Sequence, residues 1–228
     1  MVIINKIGII DSGLGAISVL NELIKQKKYA NYILFLDYRF NPFGEKTEEQ
    51  LYERLLKGIQ FLKKQNVQQI LLACNTLSEV AIKRNIKDVI TPVFYFKEIL
   101  KNEFDRHSLL LATNYTVKKN LYPVNARSSS DLVNYIEGKK SIQWKEIEKD
   151  FKSYQKIFLG CTHFHLLRKK FVNYQLFDSG TILANHINVE KEKLEVNIYL
   201  TKWNVNILNH LKKYLHIHHY FIYYLNES

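Results

Sequence analysis

The chain has 228 residues, of which 46% are hydrophobic and 24% are charged, so it can form one or two domains with a buried core and is not a disordered chain. Its net charge is +11 and it has only two cysteines, which excludes a disulfide-rich secreted fold and a cysteine-rich zinc site. Two cysteines are compatible either with a single disulfide or with a pair of functional thiols.

The positive charge is spread along the chain and forms no run of about five or more basic residues, which favours a solvated basic surface over a polyanion site. Nucleic acid is therefore not expected as a partner. No window approaches the about 18 apolar residues of a membrane span, and residues 1–10 lack the features of a signal peptide. We expect a cytoplasmic protein with reduced thiols and no membrane contact.

Short apolar runs alternate with amphipathic stretches in the first 95 residues, which predicts strands separated by helices. The first strand leads into the glycine-containing turn 11–15. Thr47 followed by Gln50 resembles a capping box and predicts a helix over 48–64. The four predicted strands are 6–10, 32–36, 69–73 and 92–95.

The alternation resumes further along the chain, with predicted strands at 109–112, 156–159 and 176–177. A strand over 194–200 and a helix over 205–215 follow. This order predicts an α/β fold with parallel-type sheets. Parallel sheets bind ligands beyond the carboxyl ends of their strands, and polar clusters follow several of the runs.

Both cysteines lie in the same local pattern. Cys74 and Cys161 each follow an apolar strand and one small residue, and each precedes two polar residues. The repeated pattern suggests two similar α/β halves that face each other, each offering one thiol to a shared cleft.

A thiol at a strand end, beside the backbone N–H groups of a following helix, is expected to have a lowered pKa and to act as a base. Two such thiols on opposite faces of one carbon can remove a proton from one side and return one to the other, which inverts that carbon. No complete dinucleotide loop, phosphate loop or H-E-x-x-H motif is present, so no cofactor is expected. The alternatives are buried, inert cysteines and a dithiol redox protein, although the chain has no C-x-x-C.

Six short segments, in this order, resemble the motifs of the aspartate/glutamate racemase superfamily and in particular of the glutamate racemase family. They are Asp11-Ser12-Gly13-Leu14-Gly15, Pro42-Phe43-Gly44, Ala73-Cys74-Asn75-Thr76, Ala112-Thr113 with Thr116-Val117, Leu159-Gly160-Cys161-Thr162-His163-Phe164, and Phe177-Asp178-Ser179-Gly180.

The resemblance implies cofactor-independent interconversion of L- and D-glutamate, a homodimer, and supply of D-glutamate for peptidoglycan. It also implies that the site lies in a cleft between two similar domains. We place the first domain at residues 1–95 plus 182–228 and the second at 96–181.

By resemblance, Cys74 and Cys161 are the acid/base thiols, the first acting on the D-enantiomer and the second on the L-enantiomer. Asp11 assists Cys74 and His163 assists Cys161, while Asp37 and Glu137 are possible auxiliary residues. The expected substrate-binding residues are Asp11, Ser12, Phe43, Gly44, Asn75, Thr76, Thr113, Thr116, Thr162 and His163.

Several alternatives stay open at this stage. The substrate could be another amino acid such as aspartate, or the fold could be a degenerate racemase that acts as a binding protein. Asp11 and Asp37 could merely cap helices, and His165 is expected to be structural. No metal site is expected, although His216, His218 and His219 superficially resemble one. The chain departs from the family pattern at Ala16, Phe43, Ser129, Ser130 and His165.

Overall fold

The computed structural model describes residues 6–189 and 193–226, so residues 1–5, 190–192 and 227–228 of the predicted first domain lie outside the described residues. Within the described part, nine strands form two sheets in which all neighbouring strands are parallel. The strands are β1 (Lys6–Asp11), β2 (Asn31–Leu36), β3 (Gln69–Leu72), β4 (Ser108–Ala112), β5 (Ala126–Ser128), β6 (Lys156–Leu159), β7 (Gln175–Asp178), β8 (Glu195–Leu200) and β9 (Phe221–Tyr224).

Helices make most of the connections between these strands. No helix in the described ranges is long and apolar enough to cross a bilayer. The α-helices are α1 (Gly15–Lys25), α2 (Glu48–Lys64), α3 (Asn75–Lys83), α4 (Pro92–Glu103), α5 (Asn114–Lys118), α6 (Ser130–Ile136), α7 (Trp144–Lys149), α8 (Ser179–Asn185) and α9 (Val205–Tyr214), and the two 3-10 helices are Phe43–Glu45 and Thr162–Lys170.

The first sheet has the strand order β3-β1-β2-β8-β9. Alternate residues of its strands enter different apolar cores, because successive side chains of a strand point to opposite faces. Ile9 lies in the larger core and Ile10 in a second core beneath α2 and α3. Burial on both faces explains why β1, β2 and β3 are almost continuously apolar, whereas β8 alternates and β9 is mostly exposed.

The second sheet has the order β5-β4-β6-β7. Leu109 and Leu111 of β4 join the same larger core as Ile9, whereas Leu110 and Ala112 enter a third core with Phe158. The larger core is therefore shared by the two sheets. We call the first sheet with α1–α3 and α9 the first half, and the second sheet with α5–α7 and the second 3-10 helix the second half.

This architecture confirms the predicted α/β class with parallel sheets. The predicted capping box is also confirmed, because Thr47 Oγ1 accepts a hydrogen bond from Gln50 N and Gln50 Oε1 accepts one from Thr47 N. The predicted domain boundaries at 95/96 and 181/182 fall within α4 and α8, the helices that connect the halves.

The predicted strand at 92–95 is wrong, since these residues begin helix α4. Pro92 occupies the first helical turn, where its fixed φ and missing N–H are tolerated. Val93, Phe96 and Leu100 are buried at helical spacing, and Phe94 is 61% exposed. The apolar run was too short for its period to distinguish a helix from a strand.

Candidate active site

The two cysteines line one cleft between the carboxyl ends of the two sheets. Cys74 follows β3 and is the residue before α3, while Cys161 follows β6 and is the residue before the second 3-10 helix. Both are free thiols. The repeated sequence pattern therefore corresponds to equivalent positions in the two halves, as the sequence predicts.

Most predicted site residues line this cleft, and all of the others except Asp37 lie beside residues that line it. The predicted residues that line it are Ser12, Phe43, Gly44, Cys74, Asn75, Thr76, Thr113, Cys161 and His163. Asp11 and Thr162 are buried behind the thiols, and Thr116 is buried behind Thr113.

The free volume inside the cleft is about 20 Å³, which holds a single water molecule. A dicarboxylic amino acid needs more room than this. The cleft of this structure is therefore narrower than such a substrate.

A chain of polar contacts starts at the second thiol. His163 Nδ1 lies 3.9 Å from Cys161 Sγ, and His163 Nε2 donates to Glu137 Oε1 at 2.7 Å. Both the histidine and the glutamate side chains are buried, with 4% and 3% exposure. The imidazole of His163 therefore contacts the Cys161 thiol through one ring nitrogen and the Glu137 carboxylate through the other.

Glu137 Oε1 also connects the two halves. It accepts from Leu14 N at 2.9 Å and from Asn41 Nδ2 at 3.1 Å, and both donors belong to the first half. A Cβ on Gly13 would lie 2.2 Å from this oxygen and 2.5 Å from Asn41 Nδ2. Glycine at position 13 therefore allows the close approach of the two halves.

The histidine and the glutamate form a buried ion pair. Burial by itself lowers the pKa of His163, but its hydrogen bonds to Cys161 and Glu137 and the nearby Asp11 carboxylate hold that pKa well above its usual value. Burial opposes ionisation of Glu137, yet its contacts with His163 and Leu14 N leave the pKa of Glu137 lowered. The imidazole beside Cys161 is thus positively charged near neutral pH.

Asp11 ends β1 and is fully buried. Its Oδ1 accepts from Gly13 N at 2.9 Å, and its Oδ2 accepts from Thr162 Oγ1 of the other half at 3.4 Å. Burial raises the pKa of Asp11 from 3.8 to about 6, against the lowering effect of His163. A carboxyl group with this pKa can accept and release a proton near neutral pH.

The first thiol differs from the sequence expectation of a lowered pKa. Burial and the Asp11 carboxylate raise the pKa of the Cys74 thiol well above its usual value. These two effects outweigh the helix terminus on which the expectation rested. Cys74 therefore holds its proton near neutral pH.

Neutral polar groups make up much of the remaining wall. Asn75 Nδ2 donates to Gly160 O across the cleft at 2.8 Å, while Asn75 Oδ1 is buried with no hydrogen-bond partner among the described residues. The hydroxyl of Thr113 lies 3.3 Å from that of Thr76 and 3.2 Å from that of Thr116. Buried hydroxyl and amide groups in such an arrangement can bind carboxylates and an ammonium group.

Asp37, a possible auxiliary residue, does not line the cleft. Its carboxylate accepts from Arg54 Nε at 2.5 Å and Nη2 at 3.0 Å, and from Thr201 Oγ1 at 2.8 Å. The alternative of a mere helix cap does not apply either, because the two helices that follow it are capped by Pro42 and Thr47. Nor is Asp11 the capping residue of α1, since that position is occupied by Leu14.

Five cleft residues are absent from the sequence-based set. Ser130 and Val133 follow the short strand β5, whose three residues gave no apolar run to predict it. Gly160 and Pro42 belong to the sequence motifs, but the motifs imply no role for them. The five are Pro42, Glu45, Ser130, Val133 and Gly160.

No group of three or more His, Cys, Asp or Glu side chains in residues 6–189 and 193–226 is arranged to hold a metal ion. His165 contacts Asp178 at 2.7 Å and does not line the cleft. The titratable groups in and beside the cleft include the two thiols, the His163 imidazole and the carboxyl groups of Asp11 and Glu137.

Comparison with known proteins gives a consistent assignment. No family model matches the chain. A glutamate racemase from Buchnera aphidicola is 31% identical, over 90% of this chain and 95% of the relative. The solved glutamate racemase from Francisella tularensis, in complex with D-glutamate, superimposes with a TM-score of 0.77 at 20% identity, over 97% of each chain. The solved structure of glutamate racemase isoform RacE1 from Bacillus anthracis superimposes with a TM-score of 0.79 at 16% identity, also over 97% of each chain. With its two parallel sheets and paired thiols, the chain belongs to the glutamate racemase family, and it is an isomerase of the amino-acid racemase class.

Proposed function

We propose that the chain interconverts L- and D-glutamate without a cofactor, by proton transfer at Cα between two thiols. The observation that carries the proposal is that Cys74 and Cys161, from equivalent positions of the two halves, line the same cleft. The name of the 31% identical relative supports glutamate as the substrate.

In the proposed reaction, the thiolate of one cysteine removes the Cα proton and becomes a thiol. The electron pair of the broken C–H bond stays on the substrate and is delocalised into its α-carboxylate. The thiol of the other cysteine then gives its proton to the opposite face of Cα and becomes a thiolate. Atoms and charge balance, and the two cysteines have exchanged protonation states.

The surroundings of the two thiols differ. Cys74, whose pKa is raised, holds its proton, while the charged His163 lies 3.9 Å from Cys161 Sγ. By family resemblance Cys161 acts on the L-enantiomer, and the imidazole can stabilise the thiolate that this direction needs. Asp11, with its pKa of about 6, can take the proton of Cys74 for the reverse direction.

Substrate binding is proposed to use the neutral polar wall. Asn75 Oδ1 lacks a hydrogen-bond partner in the described structure. It can therefore accept a hydrogen bond from the substrate's ammonium group. The hydroxyls of Ser12, Thr76 and Thr113 can donate to the carboxylates. Because hydroxyl and amide groups carry no full charge, they can stabilise the carbanion-like state without trapping the substrate.

The cellular role is proposed on the family resemblance. We infer a cytoplasmic homodimer that supplies D-glutamate for peptidoglycan, with domains at residues 1–95 plus 182–228 and 96–181. Sedimentation at several protein concentrations tests the dimer, and a monomer at all of them contradicts it.

The activity is tested by incubating the purified chain with L-glutamate and, separately, with L-aspartate, and separating the enantiomers by chiral chromatography. We expect L-glutamate to approach an equal mixture, and L-aspartate to remain largely unchanged. Racemisation of aspartate but not of glutamate would show that glutamate is not the substrate. No racemisation of either amino acid would overturn the proposal.

A further inference from the structure

A second buried histidine lies behind the candidate active site, between two carboxylates. His165 Nδ1 is 2.7 Å from Asp178 Oδ1, and its Nε2 is 3.9 Å from Glu22 Oε2. The three side chains are 8%, 6% and 5% exposed. Neither the proposed proton transfers nor the proposed substrate contacts use this cluster.

The three residues come from three elements. Glu22 belongs to α1 of the first half, His165 to the second 3-10 helix, and Asp178 ends β7 and caps α8 by accepting from Thr181 N at 2.8 Å. Two cations also approach Glu22, since Lys25 Nζ and Arg168 Nη1 lie 3.3 and 3.8 Å from its Oε2. His165, in the second 3-10 helix, therefore contacts a carboxylate from each half of the molecule.

The helix that His165 anchors is the one that begins immediately after Cys161. A 3-10 helix has poorer hydrogen-bond geometry than an α-helix, so its position depends more on external contacts. Near its start, Ser18 Oγ donates to Thr162 O at 2.8 Å, and Phe164 N donates to Cys161 O at 3.0 Å. His165 supplies a side-chain anchor one residue further along.

We propose that His165 is a positioning residue for Cys161, which holds the second thiol in place through its contacts with Asp178 and Glu22. The role of that thiol in racemisation rests on the proposed function, whereas the anchoring does not. Cys74 is carried by β3 and α3, and neither element contains a member of the cluster. Loss of His165 should therefore change the position and reactivity of the Cys161 thiol and leave those of the Cys74 thiol unchanged.

The test uses His165→Asn, which keeps a short polar group near Asp178, and His165→Gln, which extends further toward Glu22. The matched control is His107→Asn, since the side chain of His107 contacts exposed Arg106 in the same half. Each variant is treated with iodoacetamide, and the alkylation rates of Cys74 and Cys161 are measured separately by mass spectrometry of their peptides. Thermal melting shows which variants are folded.

We expect Cys161 to be alkylated at least about threefold faster in both His165 variants, with the rate at Cys74 and the control unchanged. The isotope effect on racemisation should also rise for α-deuterated L-glutamate and not for the D-enantiomer. Equal changes at both cysteines, or no change at either in a folded variant, would overturn the positioning role. A wild-type chain that does not racemise glutamate would defeat the proposed function, and the alkylation rates would still decide the role of His165.

Discussion

Each thiol follows the third strand of its sheet in chain order, which pairs with the first, but the two sites have different electrostatic surroundings. Cys74 is half-buried, precedes an α-helix and lies near the Asp11 carboxylate, which together with burial raises the pKa of its thiol. Cys161 is 8% exposed, precedes a 3-10 helix and faces a charged imidazole held by Glu137.

The comparison shows that the repeated strand ends determine where the thiols lie, whereas neighbouring residues determine the charges around them. The asymmetry keeps Cys74 protonated and places a positive charge beside Cys161. The proposed two-thiol reaction uses such a difference, since it needs one thiol and one thiolate at any moment. Substitution of the thiols, Glu137 and Asp11 removes elements of this asymmetry one at a time, whereas Asp37 lies outside it.

Removing either thiol should have the largest effect. We expect Cys74→Ser and Cys161→Ser each to lower kcat for racemisation by about 1,000-fold or more, because a serine hydroxyl is a far weaker acid and base. A chiral assay of glutamate measures this. Because the two cysteines are the only ones in the chain, each variant serves as the matched control of the other. Retention of full activity by either variant would contradict the two-thiol mechanism.

Glu137→Gln should have the next largest effect, through His163. Loss of the carboxylate lowers the pKa of His163, so we expect kcat to fall by about 100-fold and the basic limb of the pH profile to move to lower pH. His163 has a raised pKa in the folded state, so its stabilising effect is complete below about 6.5 and is lost as pH rises through the raised value.

The free energy of unfolding of Glu137→Gln should therefore fall at pH 6, by about 3 kcal/mol, as expected for a broken buried ion pair. Glu146→Gln is the control, since that glutamate is 62% exposed and pairs with Lys149. An unchanged pH profile in Glu137→Gln would contradict the link between Glu137 and the second thiol.

Asp11→Asn should weaken the first thiol site and stabilise the fold. The raised pKa of Asp11 means that its ionisation is unfavourable in the folded state, so the wild type loses stability as pH rises from about 4 to about 6. At pH 7 we expect the variant to be more stable by on the order of 2 to 3 kcal/mol, with no difference at pH 4. Chemical denaturation at both values measures this.

The same variant should lose about tenfold or more in kcat at pH 7, because Cys74 loses a neighbouring proton acceptor. Asp131→Asn provides the control, as that carboxylate is 63% exposed and pairs with Lys140. A stability difference that is equal at pH 4 and pH 7 would show that Asp11 ionises normally in the folded protein.

Asp37→Asn should have the smallest catalytic effect. Asp37 bonds to Arg54 and Thr201 and does not line the cleft, so we expect kcat per folded molecule to stay within about twofold. The free energy of unfolding should still fall by about 3 kcal/mol, because a buried ion pair is disturbed. A large drop in kcat with unchanged stability would place Asp37 in the catalytic machinery instead.

The sequence predicts the buried strands and the thiols well for a physical reason. A strand covered on both faces must be apolar, and the first polar residues after it mark the sheet edge where ligands bind, as at Cys74 and Cys161. The capping box at Thr47 is equally local, since both of its bonds lie within four residues.

Features that depend on distant partners could not be predicted in this way. Asp37 pairs with Arg54 and Thr201, and the second of these is 164 positions away. The raised pKa of Cys74 arises from burial that only the assembled halves create. The strand β5 has three residues that are not fully buried, so it leaves no apolar run, and Ser130 after it was missed.

The most direct test of the account follows hydrogen at Cα during the first turnovers. The chain is mixed in D2O with L-glutamate that carries protium at Cα, and the reaction is stopped at low conversion. The D-glutamate formed is then isolated and analysed by mass spectrometry. Two thiols on opposite faces predict that this D-glutamate carries deuterium at Cα, because the returning proton comes from a thiol equilibrated with solvent, while the remaining L-glutamate keeps most of its protium. D-Glutamate that carries the hydrogen of the original substrate would show that one group both removes and returns the proton, and would contradict the account.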